Sequence, residues 1–148
     1  IYRRPQSMKK KPIKSLLFDV SQQDQINNRA NPKLLRVLLS EQTTRLDFGY
    51  VATAYYHKGG WITISPETYL QIKGSSERYL FKEAEGIALA PEKLNFESNK
   101  DYQFFSLYFE ALPGTNLVFD MIEHYPGTPN DFNYYGIELS LEDGVEVG

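Results

Sequence analysis

The sequence predicts an all-β domain, an antiparallel β-sandwich of immunoglobulin-like form with about eight strands. Three observations carry that expectation. From Lys33 to Tyr56 the residues alternate with a period of two, which in a pleated strand sends successive side chains to opposite faces. From Trp61 to Ser140, aromatic and β-branched runs are cut every few positions by turn residues. Within that span no run shows helical periodicity.

Each element follows from its residues. Residues 1–32 are polar, basic at first and then rich in Gln and Asn, with Pro5, Pro12 and Pro32 as breakers. They read as an N-terminal arm or leader, with room for one short element around Ile13 to Val20. Residues 33–141 are the expected sandwich, and the acidic stretch 142–148 reads as a frayed tail or the lead into a neighbour.

Lys33 to Ser40 places Leu35, Val37 and Leu39 on a core face and Leu34, Arg36 and Leu38 on the other. Thr43 to Tyr56 is the longest predicted strand. Leu46, Phe48, Tyr50, Ala52 and Ala54 face one way, Asp47, Gly49, Val51, Thr53 and Tyr55 the other, and Gly49 suggests a bulge. After the turn His57-Lys58-Gly59-Gly60, Trp61 to Ile64 forms a strand whose indole is expected to pack across the core. Thr68 to Lys73 and Arg78 to Lys82 make a hairpin around Gly74-Ser75-Ser76, and Ile87 to Ala90 is a short run between Gly86 and Pro91. In Asp101 to Glu110, Phe105, Leu107 and Phe109 point inward, leaving Tyr102, Phe104, Ser106 and Tyr108 outward. Asn116 to Glu123, the loop Tyr125 to Asp131 and Tyr134 to Ser140 complete the domain.

Composition bounds the function. A chain of 148 residues with eleven Tyr and nine Phe can bury one core without covalent staples. A net charge of −3 supplies no global attraction to nucleic acid or anionic membrane. The absence of cysteine excludes disulfides, thiolate zinc sites, iron–sulfur clusters and cysteine nucleophiles, and no cofactor is expected. No segment approaches the roughly 18 apolar residues of a membrane helix. Lys9, Lys10, Lys11 and Lys14 read as a solvated basic terminus, since no aromatic residue interleaves them for stacking on a nucleic acid.

One order of motifs adds a resemblance. Gly60-Trp61-Ile62-Thr63-Ile64, Thr68-Tyr69-Leu70, Ala84-Glu85-Gly86-Ile87, Ala90-Pro91-Glu92, Ser106-Leu107-Tyr108-Phe109, Phe119-Asp120-Met121-Ile122-Glu123 and Tyr135-Gly136-Ile137 follow one another across residues 33–140. In that order the chain resembles an uncharacterised bacterial β-sandwich module found beside caspase-like or trypsin-like peptidase domains and thioredoxin-like domains in envelope-associated proteins. The resemblance implies a non-catalytic accessory domain in a periplasmic or cell-surface setting. It carries no catalytic residues over to this chain.

Few residues suggest chemistry. Glu123 and His124, with Asp120 before and Asp131 after, place oxygen and nitrogen ligands in one loop, but without the dense Asp and Asn alternation of a calcium loop. A solvated polar loop is the commoner outcome, and no metal site is assigned. Glu83 and Glu85 share a strand face, with Glu92 and Glu97 following, yet paired acids catalyse only in a cleft that raises one pKa. There is no Gly-x-Ser-x-Gly elbow, and His57 and His124 lack a triad context, so no catalytic residue is assigned. The feature with binding character is the outward set Tyr102, Phe104 and Tyr108. Such a face either docks a neighbouring domain or envelope polypeptide, stacks on sugar rings, or is covered by another part of the chain.

Overall fold

A computed structural model describes residues 15–23, 31–53, 57–128 and 130–147. The basic cluster around Lys9 to Lys14 and the predicted strand end Ala54 to Tyr56 lie outside these residues. Twelve strands are described: β1 Ser15–Asp19, β2 Lys33–Leu39, β3 Thr43–Val51, β4 Trp61–Ile64, β5 Tyr69–Ile72, β6 Arg78–Glu85, β7 Ala88–Leu89, β8 Leu94–Asn95, β9 Tyr102–Glu110, β10 Leu117–Ile122, β11 Tyr134–Leu139 and β12 Val145–Val147. A 3-10 turn, Leu141–Asp143, links β11 to β12. No helix of the described residues is long and apolar enough to cross a membrane.

Nine strands form one antiparallel ladder in the order β11-β10-β5-β6-β9-β3-β2-β1-β12, and β7-β4-β8 form a small second sheet. The long ladder folds over on itself. Phe48 of β3 and Tyr134 of β11 stand five strand spacings apart in the ladder, about 24 Å if it were flat. Their rings are 5.3 Å apart.

The fold line runs through β6. Arg78, Tyr79 and Leu80 pair with β5, whereas Phe81 to Glu85 pair with β9. Just after the change of partner, within the stretch paired with β9, the register shifts at Phe81/Glu83, leaving Lys82 as the extra residue. A bulge bends and twists its strand, which is how one strand serves two packed layers. The sandwich is therefore one ladder creased at a shared strand, not the two separate sheets of an immunoglobulin domain.

The core lies between the layers. Val37, Leu46, Phe48, Leu107 and Phe109 come from one, Leu70, Phe119, Met121, Tyr134 and Ile137 from the other, and all are essentially inaccessible. Phe48 stacks on Phe105 at 4.9 Å, and Phe81 meets Phe109 edge-on. Tyr134 is wholly buried and donates its hydroxyl hydrogen bond to the Pro32 carbonyl, so its polar tip has a partner. The small sheet adds Ile62 and Ile64 to the same core. Side-chain amides extend two strand ladders: Gln23 bonds both backbone groups of Glu138, and Asn31 does the same for Val51.

Several expectations are corrected. The short element expected around Ile13 to Val20 is β1, but it is no part of a loose arm: it lies inside the large sheet between β2 and β12 and buries Phe18. Nor is residues 142–148 a frayed tail: Val145–Val147 pairs with β1. In β2 a bulge between Leu34 and Arg36 turns Leu34 into the core and leaves Leu35 half-exposed, reversing their expected places. Trp61 does not cross the core. Alternation sends Ile62 and Ile64 inward, leaving the indole 47% exposed with the Lys93 ammonium 4.3 Å above it.

Candidate functional site

The outward set of β9 is split by its neighbours. Tyr102 and Phe104 remain 52% and 65% exposed, their rings 4.8 Å apart and inclined at 66°. Opposite Phe104 in the β3 register is Gly49. Its expected bulge lies on the neighbouring strand β2 instead, and the pairing of β3 with β9 is continuous. A Cβ at Gly49 would collide with the Tyr102 hydroxyl and touch Leu35. The missing side chain therefore makes the shelf on which the Tyr102 ring lies. Leu35, displaced outward by its bulge, borders that shelf, and Val51 is 49% exposed at the end of the strand.

Tyr108, the third aromatic of the expected set, has a different role. It is half-buried and donates a 2.7 Å hydrogen bond to Glu85 on β6. That bond, then burial and the Glu85 charge, push its phenol above the ordinary value of 10.0, with Arg45 opposing. Ser106 separates it from Phe104 on the same face.

Between the aromatics and Tyr108 runs a polar row. Arg36, Asp47 and Ser106 are aligned across β2, β3 and β9 by the register. Asp47 is only 6% exposed, yet its oxygens are shared among the Ser106 hydroxyl at 2.7 Å, Arg45 Nη2 at 3.0 Å and Arg36 Nε at 3.2 Å. Arg45 Nε lies 2.9 Å from Asp47 Oδ1, but its angle makes this an ion pair without a hydrogen bond. A buried carboxylate is tolerated here because two cations and a hydroxyl replace its water.

Leu35, Phe104 and this row enclose a cleft of about 420 Å³, closed at one side by Asp19 and Ser21. Asp19 accepts hydrogen bonds from the hydroxyl and the N–H of Ser21, which hold its carboxyl below the ordinary value of 3.8. The cleft thus has an apolar lip, Leu35 and Phe104, and a charged floor.

The acidic loop between β10 and β11 brings Glu123, His124 and Asp131 together, with ligand atoms within 4.8 Å of one another. Those atoms are already engaged. Glu123 accepts N–H hydrogen bonds from Ser65 at 2.9 Å and Phe132 at 2.7 Å, tying two loops through one buried carboxylate. Asp131 bonds His124 Nδ1 at 2.7 Å and takes both the N–H and the hydroxyl of Thr128. Burial alone would raise the Asp131 carboxyl, but Thr128 and His124 outweigh it and hold the group below 3.8. Asp120 is not part of the cluster, because its Oδ1 accepts the Gly136 N–H. The four residues expected as a grouping therefore hold loop geometry in two places.

Of the acids weighed as a catalytic pair, Glu85 is committed to Tyr108. The contributions of Leu35, Gly49 and Asp47 to this face were missed in the sequence. A bulge and a cross-strand register create them, and alternation within one strand reveals neither. No family model, no curated protein and no solved structure matches the chain.

Proposed function

We propose that the chain is a non-catalytic accessory module that docks a polypeptide, a neighbouring domain or a component of a bacterial envelope, through the face of Tyr102 and Phe104. The carrying observation is the bare aromatic pair seated on Gly49 beside Leu35, above a cleft whose floor is charged. Exposed contiguous aromatic area of this kind favours interfaces, because burying it releases water from large rigid rings at small entropic cost. An apolar side chain of the partner fits between Leu35 and Phe104, while Arg36 and Asp19 offer charges of both signs to its backbone or polar neighbours.

Polypeptide docking is favoured over sugar stacking on this face by ring geometry. The two rings are inclined and do not form a flat platform, and Tyr108 is turned into its bond with Glu85. The envelope setting follows only from the resemblance in motif order.

The test is selection of displayed random peptides on the wild-type chain, followed by counter-screening on Phe104→Ala and Tyr102→Ala. The reading expects peptides rich in apolar residues whose binding weakens at least about tenfold on either replacement, with the fold retained. Peptides that bind all three proteins equally would exclude this face.

A further inference from the structure

The opposite layer carries a second concave surface, on the outward side of β5, β10 and the start of β6. Gln71 pairs with Arg78 on one side and with Asp120 on the other, so three polar side chains form one row across three strands. Tyr69, two residues before Gln71, shares that face. Tyr125 and Tyr135 help to wall a cleft of about 470 Å³, a size typical of small-ligand sites.

The polar groups are held in place but not used up. The Arg78 guanidinium lies 4.1 Å from the centre of the Tyr69 ring, a cation–π contact that restrains it, and no carboxylate of the described residues pairs with it. Gln71 donates its amide to the Ser75 carbonyl at 2.7 Å, leaving its own carbonyl oxygen for another donor. Asp120 spends Oδ1 on the Gly136 N–H at 2.8 Å and has a second oxygen to offer. Gly136 has φ +71°, at the point where β11 bulges against β10, and this aims its N–H at Asp120. Tyr125 is 81% exposed and Tyr135 42%. The Asn133 amide donates to the Tyr135 hydroxyl, restraining that ring.

We propose that this cleft binds a carbohydrate bearing a carboxylate. The tyrosine rings pack against the apolar faces of pyranose units, and the Gln71 and Asp120 oxygens accept from sugar hydroxyls. Arg78, paired with no carboxylate among the described residues, takes the ligand's carboxylate through two parallel N–H donors, with Lys73 adding charge at the rim. A purely apolar ligand would strand the polar row. A neutral sugar would leave the arginine's charge without a counter-ion. This site lies on the other layer from Tyr102 and Phe104, and its ligand is independent of what docks there.

The test is calorimetric titration of the 148-residue chain with hexagalacturonate, using cellohexaose as the neutral control. Saturable binding of hexagalacturonate is expected, weakened by salt, with the affinity lowered at least about tenfold by Tyr125→Ala and by Arg78→Gln. Phe104→Ala should bind it as the wild type does. Tyr125 is so exposed that its replacement leaves the fold intact, which thermal unfolding checks. No binding at millimolar hexagalacturonate overturns the proposal. Equal affinity for cellohexaose overturns the carboxylate assignment, and unchanged affinity in both variants overturns the site.

Discussion

Gly49 shows how one missing side chain shapes a surface. Its backbone is ordinary strand, so Gly49→Ala brings no strain of its own, and the atom that must move is the far end of Tyr102. Stability should change by less than about 1 kcal/mol in urea denaturation, while peptides selected on the Tyr102 face lose affinity. Asp47 is the contrasting residue. Asp47→Asn keeps the shape but leaves Arg45 and Arg36 without their anion and should cost about 1–3 kcal/mol in the same measurement, tempered by the exposure of Arg36. The alternation of β3 put Asp47 and Gly49 correctly on the outward face. That Asp47 would be buried there was not legible, because beside Arg45 of its own strand it is covered by Arg36 and Ser106, on strands whose register the pattern leaves open.

Among the elements, the loop between β10 and β11 carries a pH dependence of its own. Asp131 is held below 3.8, so its contribution to stability is full above the unfolded value and is lost as pH falls through the folded one. Asp131→Asn should be about 1 kcal/mol less stable at neutral pH, and thermal melts should show the gap to wild type closing as pH falls from about 5 through the folded value below 3.8. A gap that stays constant with pH would mean that the charge contributes nothing. The strands themselves were well foreseen where alternation was unbroken, as in β9, whose inward Phe105, Leu107 and Phe109 are all buried. Prediction failed at bulges. In β2 one extra residue exchanged Leu34 and Leu35, and a period-two pattern has no way to signal where it slips. It also failed for the short edge strand β12, which draws its stability from pairing with β1 and not from its own residues, whereas the short element expected around Ile13 to Val20 is β1.

At the scale of the molecule, one core joins both layers, so neither layer has a stable state of its own. Urea unfolding followed by tryptophan fluorescence and by circular dichroism should therefore give coincident single transitions. Phe48→Ala, at the contact of β3 with Phe105 and Tyr134, should lower stability by about 3–5 kcal/mol as a shift of that whole transition. Two separated transitions would show that the crease at β6 divides independent units. The all-β class and the antiparallel sandwich were readable from periodicity and turn spacing. The crease was not, since it depends on β6 changing partners in mid-strand between Leu80 and Phe81, beside the bulge at Lys82.

We propose that the Tyr102 and Phe104 face docks a polypeptide. The most direct test is the amide spectrum of the isotopically labelled chain, recorded with and without a peptide selected on the wild type. Docking at this face predicts shifts concentrated at Leu35, Gly49, Val51 and the first half of β9, absent in Phe104→Ala although that variant keeps wild-type stability. Shifts confined to the other layer, or binding undiminished in Phe104→Ala, would contradict it.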